Sequence, residues 1–132
     1  MKKIAAIFSI ALLILISSCK DDNKGEIKIV TPEEMQTLLE TKDVQLVDVR
    51  TPEEHKEGFI EHSQNIDFNS PTFDEDISKL DKTKPVILYC KSGGRSSKCG
   101  EKLLKAGFVQ VYDLEGGITE WKFKGLEVEV EE

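Results

Sequence analysis

Cys90 closes the apolar run Val86-Ile87-Leu88-Tyr89 and is followed at once by Lys91-Ser92-Gly93-Gly94-Arg95-Ser96. A thiol is a nucleophile as its thiolate, which is favoured by nearby cations and by the unpaired N–H groups at a helix N-terminus. Lys91 and Arg95 supply positive charge on either side of the loop. Gly93 and Gly94 allow the backbone to turn without a Cβ penalty, so that successive N–H groups from Lys91 through Ser96 can converge on one point as an anion-binding nest. Arg95, with its planar fork of donors, suits the oxygens of a small anion. Its plainer alternative is to tie the loop to a carboxylate such as Asp48. The plainer alternative for Cys90 is an inert core cysteine.

The elements that must position this loop are legible in the pattern. Four consecutive apolar residues after Pro85 read as a strand buried on both faces of a parallel sheet, and residues 96–106 (SSKCGEKLLKA) carry helical spacing. The spacing predicts further strands over 26–30, 44–49, 65–67 and 109–112, and helices over 32–39, 74–80 and 118–123, with a short helix from Pro52 ended by Gly58. Thr31-Pro32-Glu33-Glu34 and Thr51-Pro52-Glu53-Glu54 use the same capping-box grammar twice and are not a repeat. Strand alternating with helix gives an α/β fold, a parallel sheet of about five strands flanked by helices on both faces. Ligands in such sheets bind beyond the carboxyl ends of the strands, where Cys90 lies.

Three ordered motifs resemble the rhodanese family of sulfurtransferases. The loop CKSGGRS (Cys90 to Ser96) is similar to the family's C-[RK]-S-G-x-R-[ST], LVDVRTPEEHKEGFI (Leu46 to Ile60) to its DVR…E…GHI segment, and VYDLEGGITEW (Val111 to Trp121) to its L.GG…W segment. The resemblance covers about residues 26–130, and Phe59 stands where the family usually has histidine, a change expected to alter packing rather than chemistry. It implies a rhodanese-like fold, no cofactor, and sulfur transfer in two steps from thiosulfate or a persulfide donor to a thiophilic acceptor, cyanide or a thiol. Cys90 would be the catalytic nucleophile that carries a persulfide, with Lys91, Ser92, Gly93, Gly94, Arg95 and Ser96 binding the anionic donor. Asp48 and Arg50 match family positions read as architectural support. Phosphatases and arsenate reductases on the related fold use a loop one residue longer, and mercaptopyruvate-type relatives carry C-G-[ST]-G-V-T without the arginine, so both fit less well. A non-turnover persulfide carrier, handing sulfur to a protein acceptor, remains the alternative.

The rest of the chain bounds the setting. Lys2 and Lys3 precede an apolar run from Ile4 to Ile16 that is too short to span a membrane comfortably but suits a signal peptide. Leu15-Ile16-Ser17-Ser18-Cys19 resembles a bacterial lipobox, which implies a lipoprotein signal peptide over 1–18, lipidation of Cys19, a lipid-anchored tether over 19–25 and a rhodanese-like domain over 26–132. The expected location is the cell envelope, periplasmic or at the surface, anchored to a membrane. Loss of the two lysines takes the formal charge from −7 to −9, and without a long basic run nucleic acid is not an expected partner. His55 and His62 read as surface or loop histidines without metal-ligand spacing. Cys99 falls in helical phase with Leu103 and reads as a small core residue, with a resolving thiol as the alternative. Trp121 reads as a core plug and residues 127–132 as a solvated end.

Overall fold

The computed structural model describes residues 25–132, so the expectations for residues 1–24, the signal peptide and Cys19 among them, lie outside the described residues. Five strands, β1 (Glu26–Val30), β2 (Gln45–Asp48), β3 (Gln64–Asn65), β4 (Val86–Tyr89) and β5 (Gln110–Leu114), form one all-parallel sheet in the order β1-β5-β4-β2-β3. Five helices alternate with them: α1 (Pro32–Thr41), α2 (Pro52–Glu57), α3 (Phe73–Ser78), α4 (Gly94–Lys105) and α5 (Gly117–Phe123). The expected α/β architecture, with helices covering both sheet faces, is the one observed.

Strand β4 lies at the centre and is buried at all four positions because both faces are covered. Its alternation feeds two cores. Val86, Leu88 and Cys90 point into one cluster with Phe73 and Ile77 of α3 and Cys99 and Leu103 of α4; Ile87 and Tyr89 point into the other with Met35 of α1 and Ile118 and Trp121 of α5. In α4 the buried residues Ser96, Cys99, Gly100 and Leu103 recur at helical spacing, which presses the helix onto the sheet. Burying Leu103 alone contributes about 2 kcal/mol.

Both TPEE segments are complete capping boxes: Thr31 and Thr51 accept from the N–H groups of Glu34 and Glu54, whose carboxylates reach back to the threonine N–H groups at 2.9 Å. Several limits differ from those expected. Helix α4 starts at Gly94 rather than Ser96, because Gly93 at φ 115° forms its N-cap. Strand β3 spans Gln64–Asn65 rather than 65–67, β5 runs on to Leu114 instead of ending at Tyr112, and α3 stops at Ser78, two residues early. The terminal segment is a clasp rather than a free tail: Phe59 and Glu129 form an antiparallel bridge, and Leu126 and Val128 pack on the second core. Trp121 is the buried plug expected, with its indole N–H donating to Glu127 O at 2.9 Å.

From β2 the chain leads through α2 outward to β3, whereas from β4 it leads through α4 to β5 on the opposite side. The carboxyl ends of β2 and β4 therefore flank a crevice where strand order reverses, the usual ligand position in an open α/β sheet.

Candidate functional site

Cys90 follows β4 at that crevice and is 1% exposed. Its sulfur accepts the Gly93 N–H at 3.0 Å and lies 3.4 Å from Ser96 Oγ. Burial pushes the thiol up, but the Ser96 hydroxyl and the N–H groups of Ser96, Gly93 and Ser92 outweigh it, so Cys90 ionises below the ordinary thiol value. Cys99 is the control within the same fold. It is fully buried without such donors, and burial drives it up to about 12. Cys90 and Cys99 are both free, and of these two buried thiols only Cys90 is shifted toward the thiolate.

The loop is held from both sides. Gly93 adopts φ 115°, a left-handed conformation that aims its N–H at the sulfur and that a Cβ would strain. Gly94 is different from what the sequence suggests: it is the first residue of α4 with no positive φ, and its Cβ position faces open space, so only one of the two loop glycines is demanded by the turn. On the far side, Gly116 and Gly117 start α5 at positive φ, and a Cβ on Gly117 would meet Cys90 O at 2.5 Å. That close approach lets Ile118 N–H and Thr119 N–H donate to Cys90 O and Lys91 O at 2.9 and 3.1 Å. Lys91 and Ser92 are exposed at the loop tip, whereas Ser96 is fully buried beneath it.

Arg95 is tied to a carboxylate, but to Glu54 and not to Asp48. Its Nη1 and Nη2 donate to Glu54 Oε2 and Oε1 at 2.7 and 2.8 Å. The guanidinium, with help from the Thr51 cap, holds Glu54 at about 2. One carboxylate thus closes the α2 capping box and anchors the loop. The Arg95 charge still lies near the Cys90 sulfur, which adds to its own preference for the charged form after the dominant contribution of Glu54.

Asp48 and Arg50 form a separate buried brace. Arg50 Nε and Nη2 donate to Asp48 Oδ1 and Oδ2 at 2.9 and 2.7 Å, and Nη2 also donates to Gly58 O at 2.6 Å. His55 is not the surface histidine expected: its Nδ1 is 2.8 Å from Asp48 Oδ2, its side chain is 14% exposed, and its ring stacks on Phe59 at 4.4 Å. The Phe59 departure from the family pattern is accommodated by that stack. His62 is exposed, as expected. The brace meets β4 through Tyr89, whose ring lies beneath Arg50 and whose hydroxyl accepts Ile60 N–H at 3.1 Å. Burial pushes this phenol up to about 12.

The site that emerges is a sulfur that accepts the Gly93 N–H, with the Ser96 hydroxyl beside it and an anchored cation nearby, at the carboxyl end of a central strand. The rhodanese-like domain pattern matches residues 31–124, the span that holds every element of this site. The chain belongs to the rhodanese-like domain family. A sulfurtransferase of Allochromatium vinosum is 36% identical over 93 residues, 70% of this chain and 85% of that protein. A tRNA uridine(34) hydroxylase of Cytophaga hutchinsonii is 37% identical over 82% of this chain, which corresponds to only 36% of that longer protein. A rhodanese-related protein of Thermoplasma volcanium superposes with a TM-score of 0.71 at 28% identity, covering 79% of this chain and 99% of that one. Rhodanese domains therefore occur both nearly alone and as parts of larger enzymes among the relatives.

Proposed function

We propose that this rhodanese domain is a sulfurtransferase that carries sulfane sulfur as a Cys90 persulfide, with thiosulfate or a persulfide as donor and cyanide or a thiol as acceptor. The observation that carries the reading is the Cys90 sulfur itself: its ionisation is shifted toward the thiolate in a buried position where the Gly93 N–H donates to it and the Ser96 hydroxyl lies 3.4 Å away. In the first step the thiolate attacks the outer sulfur of thiosulfate; a Cys90 S–S bond forms, the donor's S–S bond breaks, and its electron pair leaves with sulfite. In the second, an acceptor such as cyanide attacks the outer persulfide sulfur, leaving as thiocyanate and returning the thiolate. The donors that favour the thiolate also suit the terminal sulfur of an anionic persulfide.

The split roles of the basic residues follow from geometry. Arg95 keeps further N–H donors beyond the pair spent on Glu54 and contributes charge at the loop, and exposed Lys91 can guide anions toward it. A second reading, a carrier that loads sulfur but turns over little, is favoured by one fact: the bidentate edge of Arg95 is already occupied by Glu54. Steady-state thiocyanate formation separates them. Parallel double-reciprocal lines for thiosulfate and cyanide are expected of the enzyme; stoichiometric loading without turnover is expected of the carrier.

Residues 1–19 support placing the protein at a membrane through a lipidated Cys19 after removal of the preceding segment. Membrane fractionation of the wild type and of Cys19→Ala checks this: the variant should move to the soluble fraction, and an unchanged distribution contradicts the anchor.

A further inference from the structure

One end of this acidic chain is basic. Residues 79–84 (KLDKTK) and 102–109 (KLLKAGFV) carry five lysines against one aspartate. The fold joins the two stretches: Val109 N–H donates to Lys82 O at 3.3 Å, where the chain passes from α4 to β5. Beside this junction lies an open hollow of about 350 Å³, lined by Lys82, Lys102, Lys105 and Asp74 together with the apolar Ile77 and Phe108. The neighbouring aspartates are engaged. Asp81 accepts from the N–H and hydroxyl of Thr83, Asp43 pairs with Lys84 at 2.7 Å, and Asp74 with Lys102 at 3.8 Å. Glu26 is the exposed acid at this end of β1. Lys82 and Lys105 are exposed and form no ion pair among the described residues, and next to them Val109 is 55% exposed.

Gly25 packs against the same edge: a Cβ there would collide with Phe108 O and stand 2.7 Å from Leu104 Cδ2 and 3.3 Å from Val109 O. Cys19 precedes it by six residues, at most about 20 Å of extended chain. We propose that Lys82, Lys105 and Val109 dock this end of the domain onto an anionic lipid surface, the lysines against headgroup phosphates and Val109 at the interface. The proposal rests on the anchoring of the chain through Cys19 and is independent of the chemistry at Cys90. Lysines are drawn to a negatively charged leaflet only within about a Debye length of it, roughly 10 Å, and a short tether that leaves the fold beside them keeps them in that range. The chain as a whole, at −7, is repelled by the same surface, so its basic end sets the orientation. All five strands run parallel from this end, and β4 begins two residues after Lys84 and delivers Cys90 at the other. The Cys90 loop therefore faces away from the lipid, open to donors and acceptors in the aqueous phase.

The test is lysine footprinting of the full chain as cells produce it, placed in vesicles of phosphatidylglycerol and phosphatidylethanolamine and labelled with a membrane-impermeant acylating reagent. Rates are read relative to exposed Lys91 beside Cys90, so molecules enclosed in vesicles drop out, and are compared with the same ratios in nonionic detergent. Lys82 and Lys105 should label about fivefold more slowly in vesicles, the weight of one lysine at an anionic surface, and Lys102 should be protected with them. Salt at about 1 M should remove most of that protection. The exposed double change Lys82→Glu/Lys105→Glu should return Lys102 to its detergent ratio. Unchanged ratios for Lys82 and Lys105 on protein that sediments with the vesicles would overturn the docking face and leave the anchor standing. Protection of Lys102 that survives the double change would overturn it as well. Protein that does not sediment with the vesicles would overturn the anchor and the docking together. Failure of sulfur loading would leave this footprint unaffected and count only against the chemistry proposed for Cys90.

Discussion

Replacing Glu54 by Gln separates its two jobs. Glutamine still fits the third helical position of a capping box, so the α2 cap to Thr51 is kept while the charge that holds Arg95 is lost. Glu54 is held at about 2 against an ordinary 4.5. At roughly 1.4 kcal/mol per tenfold, that difference has an upper bound of about 3 kcal/mol. The paired side chains are 28% and 29% exposed, and solvent screening reduces the expected loss to about 1–2 kcal/mol. A depressed carboxylate contributes stability that is complete above its unfolded value and disappears as pH falls through its folded one. The wild-type advantage should therefore be constant above about pH 5 and vanish toward about pH 2. Urea midpoints for both proteins across that range provide the assay, and added salt should shrink the gap at neutral pH. Equal stability at neutral pH, or a difference that survives at the acid end, would refute the assignment of Glu54 as the electrostatic anchor of the loop.

The loop glycines should respond unequally. Gly93→Ala places a side chain at φ 115° and displaces the N–H from the sulfur, so it should cost about 1–3 kcal/mol and raise the Cys90 midpoint, whereas Gly94→Ala should fold as the wild type does; equal effects on thermal melting and thiolate titration would contradict the geometry. Asp48→Ala leaves the Arg50 guanidinium and His55 without their shared partner and should destabilise by about 3–5 kcal/mol; a change below about 1 kcal/mol in urea unfolding would show that the brace carries little. Cys99→Ala should retain sulfur loading with a stability loss of about 1 kcal/mol from the lost buried sulfur, and lost loading would return Cys99 to a resolving role.

Local grammar was readable from the chain. The central strand, the loop and the helix behind it are contiguous, and the two Thr-Pro-Glu-Glu caps announce their helices without help from the rest of the fold. What stayed hidden joins distant segments. Glu54 and Arg95 are 41 residues apart, and the cap already explained Glu54 by a local partner. His55 sits among polar neighbours, and only the fold turns its ring onto Asp48 seven residues earlier. Asp113 lies in an otherwise apolar strand face, where sequence alternation marks burial but not that its Oδ1 is left without a hydrogen-bond partner among the described residues. Gly93 and Gly94 are indistinguishable as letters, and the difference between them is a backbone angle.

The most direct test of the central claim is the intact mass of the full chain before and after thiosulfate, compared with Cys90→Ser. A gain of one sulfur atom is expected on the wild type, mapped to Cys90 and removed by cyanide, with no gain on the variant. A wild-type mass that does not change, or an equal gain on Cys90→Ser, would contradict it.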